Sequence, residues 1–200
     1  MARRNLPADA PVILGLGGTP RRGSSSEQAV VYTLEAAKRR GARTRLLGGE
    51  FLASLPLFDP GAADHSPGQI MLADAVREAD GVILASPGYH GSLSGVLKNA
   101  LDTLELTGAD PKPYFEGKPV GVIVTANGAQ AGGTTLSTIR MIIHAMRGWP
   151  TPFGATFNPA TLFDPHGACR DEADARRLAL VAEQVMDFLA RRRPVGPASV

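Results

Sequence analysis

Two hundred residues, 44% hydrophobic and 20% charged, suffice for one domain with a buried core and no covalent staples. A formal net charge of +2, the lack of a basic stripe interleaved with aromatics, and the lack of any apolar run of membrane-spanning length argue against nucleic acid or a membrane as partner. The single cysteine, Cys169, forbids an internal disulfide, which suits a reducing compartment and a cytoplasmic location; nothing beside it in sequence is set to activate it as a nucleophile.

In chain order, residues 1–10 carry charge without the apolar segment of a secretory signal and are expected to form a flexible tail. PVILGLGG (11–18) is a short apolar run ending in glycines, the mark of a buried strand entering a tight turn. SSSEQAVVYTLEAAKRR (24–40) follows as a helix. Ser24, Ser25 and Ser26 are its cap candidates, Ala29, Val30, Leu34 and Ala37 its apolar face, and Gly41 its stop. RTRLLG (43–48) reads as a more polar edge strand, and SLPLFDP with GAADHSPG as a long connection to a helix from about Gln69 to Glu78. GVILAS (81–86) is a third strand, followed by a glycine-punctuated turn and a helix from about Leu93 to Glu105. KPVGVIVTAN (118–127) is the fourth strand and TTLSTIRMIIHAMRGW (134–149) a helix ended by Pro150. FGATFN (153–158) is the fifth strand. DEADARRLALVAEQVMDFLARRR (171–193) is the last helix, with Arg191 to Arg193 at the end its dipole favours, before a C-terminal tail over 194–200.

Five short strands alternating with helices need crossover connections, hence a single α/β domain over 11–193. The expected architecture is a doubly wound parallel sheet of five strands in the order 2-1-3-4-5, with helices on both faces. In such a sheet a ligand lies beyond the carboxyl ends of the strands, at the switch point between strands 1 and 3. That rule brings three loops together.

The first loop, GGTPRRGSSSE (17–27), offers hydroxyls, two arginines and a helix N-terminus, together a phosphate cradle. The plainer reading is a helix cap beside a solvated arginine pair. The loop lacks G-x-x-x-x-G-K-[ST], which argues against an ATP-type P-loop. Pro20 stands where a dinucleotide fingerprint needs its third glycine, and LLGGE (46–50) puts no acid where a ribose would need one. The second loop, SPGYHGS (86–92), suits a planar heterocycle: Pro87 stiffens it, Gly88 and Gly91 let backbone approach, Tyr89 can wall the pocket, and His90 and Ser92 can reach polar edges. Otherwise Tyr89 and His90 pack on a neighbouring subunit. The third, TANGAQAGGTT (125–135), can close the far side with Asn127 and the Gly128 amide, or serve only as a flexible connection. His65, His144 and His166 lie outside these loops and show no metal-ligand spacing.

These three segments resemble the flavin-contacting segments of the NAD(P)H-dependent FMN reductase family, over about residues 11–160. The most specific piece is PGYHGSLSGVLKNALD (87–102). In the first loop Gly18, Thr19, Arg21 and Ser24 match the family pattern, with Ser26 where Asn is usual. The resemblance implies a flavodoxin-like fold, with Thr19, Arg21, Ser24 and Ser26 on the FMN phosphate. It implies Pro87, Gly88, Tyr89, His90, Gly91 and Ser92 along the isoalloxazine, and Asn127 and Gly128 beyond them. Gly88 departs from an acidic residue common in the family, so contacts there are expected to be mostly backbone.

The implied chemistry is hydride transfer from NADPH or NADH to FMN and on to a small-molecule acceptor, with no side chain nominated as catalytic. Arg21 or Arg22 would attract the phosphates of the nicotinamide dinucleotide by charge. The acceptor is free flavin for a monooxygenase, or a quinone, azo or nitro compound reduced by an enzyme that keeps its FMN. A non-enzymatic flavodoxin-like electron carrier is the alternative of another class. The resemblance also implies a homodimer or homotetramer, with Lys98 and Asp102 pairing on one helix or across the contact.

Overall fold

In a computed structural model of the chain, residues 7 and 9–192 are described. Most of the expected N-terminal tail, Arg193 and the tail over 194–200 therefore lie outside the described residues. Ala10, assigned to the tail, is buried, and its carbonyl accepts a hydrogen bond from Arg43 Nε at 3.3 Å.

The elements in order are β1 (Val12–Gly17), α1 (Ser25–Arg39), β2 (Arg43–Leu47), α2 (Gly49–Ser54), α3 (Pro67–Glu78) and β3 (Gly81–Pro87). They continue with α4 (Gly95–Thr103), drawn out by a 3-10 turn over Leu104–Thr107, then β4 (Pro119–Thr125), α5 (Ala129–Ala145), β5 (Trp149–Pro150), β6 (Ala155–Phe157) and α6 (Glu172–Arg192). Every ladder is parallel. The sheet runs β2-β1-β3-β4, and β5 and β6 both pair with β4, at its start and its end. This is the expected 2-1-3-4-5 order with the last strand in two pieces.

Side-chain alternation sorts the core into two layers. Ile13, Ile83 and Ile123 meet Val30 and Leu34 of α1 and Val181 and Val185 of α6. Leu14, Leu16, Leu84, Val122 and Val124 point the other way, among Leu72 and Val76 of α3, Leu97 and Leu101 of α4 and Ile139 and Ile143 of α5. Fully burying each such side chain contributes about 1.5–3 kcal/mol. Gly15 lets α1 come close, since a Cβ there would stand 2.5 Å from Val30 Cγ1.

Four local differences from the sequence reading have physical causes. The fifth strand, expected over 153–158, is split into β5 and β6 around Thr151–Gly154. Pro152 has no amide for the ladder, and Arg140 Nη2 donates to the carbonyls of Thr151 and Pro152 at 2.8 and 2.6 Å. Helix α5 stops at Ala145, before Pro150, in a Schellman turn: Arg147 is left-handed at φ 61°, and the Gly148 amide reaches the Ile143 carbonyl at 2.9 Å. It also starts at Ala129, five residues early, because Gly132, which reads as loop, packs an early turn against Thr156. Helix α2, one and a half turns long, fills part of the stretch between β2 and α3.

Candidate functional site

Strands β1, β3, β4 and β6 all end on the same side of the sheet, and the three loops follow from the first three. In the first, Arg21 to Ser24 form a tight turn: the Ser24 amide donates to the Arg21 carbonyl at 3.3 Å, and Gly23 sits third with φ 67°, the type II pattern. Thr19 Oγ1 donates to the same carbonyl at 3.3 Å. Ser24 caps α1, accepting from the Glu27 amide at 3.3 Å, and its hydroxyl stands 3.2 Å from that of Ser26. Both serines are buried, 3% and 1% exposed, at a helix end where the amides of Ser25 and Ser26 have no intrahelical acceptor. Arg21 and Arg22 remain exposed beside them.

The second loop is a two-residue hairpin. Tyr89 and Ser92 exchange backbone hydrogen bonds of 3.0 and 2.9 Å around His90 and Gly91, with φ of 52° and 78°, the two positive values of a type I′ turn. The hairpin is anchored from below. Ser86 Oγ accepts from the Ser94 amide at 2.8 Å, Ser94 caps α4 by accepting from the Leu97 amide, and its hydroxyl also donates to the Gly18 carbonyl. Gly88 is pressed against the third loop: a Cβ there would lie 3.0 Å from Thr135 Oγ1 and 3.1 Å from Ala126 Cβ.

Thr19, Arg21, Ser24, Ser26, Pro87, Gly88, Tyr89 and Asn127 line one cleft of about 480 Å³. That volume falls within the range of small-molecule sites, about 300–1,000 Å³. Four nominated residues stand outside the lining. His90 and Gly91 form the tip of the turn, Ser92 closes it on Tyr89, and the exposed Gly128 is the N-cap of α5. The expectation that Gly88 offers its amide to a ligand also changes, because that amide donates to the Thr125 carbonyl at 2.9 Å and extends the ladder of β3 on β4. Sequence reasoning passed over Pro20, Ser25, Thr125, Ala126 and Pro159, which complete the wall. Pro159 follows β6, and the rule that strand ends carry the ligand loops, applied to the last strand as well, points to it. Cys169 is distant from this chemistry in kind: burial pushes its thiol up, away from the thiolate.

Comparison with known proteins gives a consistent picture. The sequence model described as NADPH-dependent FMN reductase matches residues 11–160. A curated relative from Staphylococcus aureus (strain USA300), an FMN-dependent NADPH-azoreductase, is 41% identical over 81 residues, 40% of this chain and 39% of its own length. The match thus spans about two-fifths of that relative. Among solved structures, an NADH:FMN oxidoreductase in apo form superposes with a TM-score of 0.70 at 21% identity, covering 90% of each chain. FerB, an NAD(P)H:(acceptor) oxidoreductase from Paracoccus denitrificans, superposes at 0.64 with 22% identity, covering 91% of this chain and 98% of its own. These structures share the flavodoxin-like fold with this chain.

Proposed function

The chain belongs to the NADPH-dependent FMN reductase family, and from that membership and the cleft together we propose that it is an FMN-using oxidoreductase. It takes a hydride from NADPH, or from NADH, and passes the electrons to a small-molecule acceptor. The observation that carries this reading is the buried Ser24–Ser26 hydroxyl pair at the N-terminus of α1, beside Arg21 on the wall of the cleft. Hydroxyl donors, first-turn amides and a guanidinium form a donor set for a phosphate monoester, and Pro87, Gly88 and Tyr89 line the same cleft where the ring it carries would lie.

FMN, when bound, supplies the hydride-accepting chemistry, so no side chain has to serve as nucleophile or base. The chain's own task is positioning. Thr19, Ser24 and Ser26 would hold the phosphate with the Ser25 amide, and Arg21 would neutralise it. Pro87 and Tyr89 would exclude water along one side, and Asn127 would donate from the other. His90, Gly91, Ser92 and Gly128 would act from the rim, since they lie outside the cleft lining.

The azoreductase relative supports an azo compound as acceptor, with a quinone as the close chemical alternative and free flavin for a monooxygenase as a third. Family membership argues against a pure electron carrier. We place the enzyme in the cytoplasm, on its single cysteine, and expect a homodimer or homotetramer, which light scattering tests. Anaerobic NADPH added to FMN-loaded protein should bleach the flavin absorbance within minutes. If neither NADPH nor NADH bleaches it while dithionite does, the carrier reading replaces this one. A steady-state panel of azo dyes, quinones and free FMN then ranks the acceptors.

A further inference from the structure

We infer that Glu27 is a positioning residue for the phosphate cradle, holding the first loop in its binding shape by a carboxylate clamp that also explains the Gly48–Gly49 pair. The inference rests on the reading of that loop as the FMN phosphate site. Glu27 lies in the first turn of α1, and its two carboxylate oxygens serve two different segments. Oε1 accepts from the Gly23 amide at 3.1 Å, and Oε2 accepts from the Gly49 amide at 2.8 Å. Gly23 is held at its carbonyl as well, because Gln28 Nε2 donates to that oxygen at 2.7 Å. Gly23 is the left-handed residue on which the loop turns, so these two neighbouring side chains fix the point that sets where Arg21 and Ser24 stand.

The glycine pair after β2 makes the clamp possible. A Cβ on Gly48 would lie 2.7 Å from Glu27 Oε2, and a Cβ on Gly49 would fall 1.6 Å from the Thr19 carbonyl oxygen. Backbone of the β2–α2 connection is therefore flush against both the carboxylate and the Thr19 peptide. The carboxylate thus joins Gly23 of the first loop to Gly49 of the β2–α2 connection, and Gly49 in turn lies against Thr19 of that same loop. A carboxylate suits this position because two amides converge on it and both need an acceptor.

The charge of Glu27 sharpens the test. A negative group one turn from an anion site disfavours the anion by simple Coulomb repulsion. Removal of that charge alone should therefore strengthen FMN binding, whereas loss of the clamp should weaken it. The two roles predict opposite signs.

The experiment titrates the purified protein and its Glu27→Ala and Glu27→Gln variants with FMN and with riboflavin, which carries the same ring without the phosphate, and follows fluorescence quenching. The clamp predicts that Glu27→Ala loses FMN affinity about tenfold, the lower bound set by one charged hydrogen bond, while riboflavin, which has no phosphate to be misplaced, keeps its affinity within about twofold. Glu27→Gln, which keeps one acceptor oxygen, should fall between. A Gly49→Ala variant, which crowds the Thr19 carbonyl, should show the same selective loss as Glu27→Ala. Tighter FMN binding by Glu27→Ala, or parallel loss of FMN and riboflavin with a lowered melting temperature, overturns the inference and leaves Glu27 a charge or a structural brace. Failure of the unaltered protein to prefer FMN over riboflavin overturns instead the reading of the loop as a phosphate site.

Discussion

Ser94 Oγ donates to the Gly18 carbonyl at 2.6 Å, joining residues 76 positions apart in the chain. The same oxygen accepts from the Leu97 amide at 3.3 Å and so caps α4. One hydroxyl thus starts a helix and ties the first loop to the root of the second. Ser94→Ala removes the cap and leaves the buried Gly18 carbonyl without that donor, at a cost of about 2–3 kcal/mol. Urea denaturation with an unchanged m-value should read that loss, and FMN affinity should fall with it. An unchanged midpoint would mean that the two loops do not depend on this link.

Arg21 is exposed on the cleft wall, whereas Leu34 is buried in the core beneath α1. Arg21→Ala should therefore weaken FMN by roughly tenfold or more at low salt, the effect of losing a charged hydrogen bond to a phosphate. Leu34→Met conserves volume and should leave the affinity near its starting value. Calorimetric titrations at two ionic strengths check this. Equal affinities for the two variants would count against the cradle.

His90 holds a left-handed backbone, φ 52°, at the first central position of its turn. A non-glycine residue there costs about 1–2 kcal/mol. His90→Gly should recover part of that cost, partly offset by the greater freedom of glycine in the unfolded chain, and raise the melting temperature by a few degrees. A lower melting temperature would show that the imidazole makes a contribution larger than the strain.

Arg77 holds Asp110 below the ordinary carboxylate value of 3.8, chiefly by side-chain hydrogen bonds from Nε at 2.8 Å and Nη2 at 3.3 Å. A carboxylate whose folded pKa is depressed contributes stability that is fully present above its unfolded pKa and lost as pH falls through the folded one. The stability difference between the parent and Asp110→Asn should therefore be widest near neutrality and close progressively as the pH drops below 3.8. A difference that stays constant in thermal melts across that range would assign the effect to packing.

The fold was legible because strand and helix periods are clear in GVILAS and in the 24–40 segment, and because crossover geometry leaves few strand orders. The cleft followed from one topological rule applied to 17–27 and 86–92. What escaped was decided by contacts distant in sequence. The glycines of LLGGE read only as a missing ribose ligand, yet their reason is the Thr19 carbonyl and the Glu27 carboxylate packed against them. The sequence shows the glycines of SPGYHGS but not that Tyr89 and Ser92 exchange backbone hydrogen bonds, which closes the loop into a hairpin and sets His90 at its tip. Gly132 reads as loop because helix propensity penalises glycine, but packing of α5 on Thr156 at that position overrides it.

The broken far edge of the sheet bears on how this protein behaves when crowded. An unbroken border strand invites another chain to add to it and seeds fibrils. Here the border between Pro150 and Ala155 is interrupted, two of its carbonyls are occupied by Arg140, and Pro150 presents no donor. The opposite border, β2, is only five residues long and carries Arg43 and Arg45, the latter paired with Glu78 at 3.4 Å; a short edge strand with charged side chains is a poor template for another chain. Neither margin offers a long, unbroken strand for a second chain to extend.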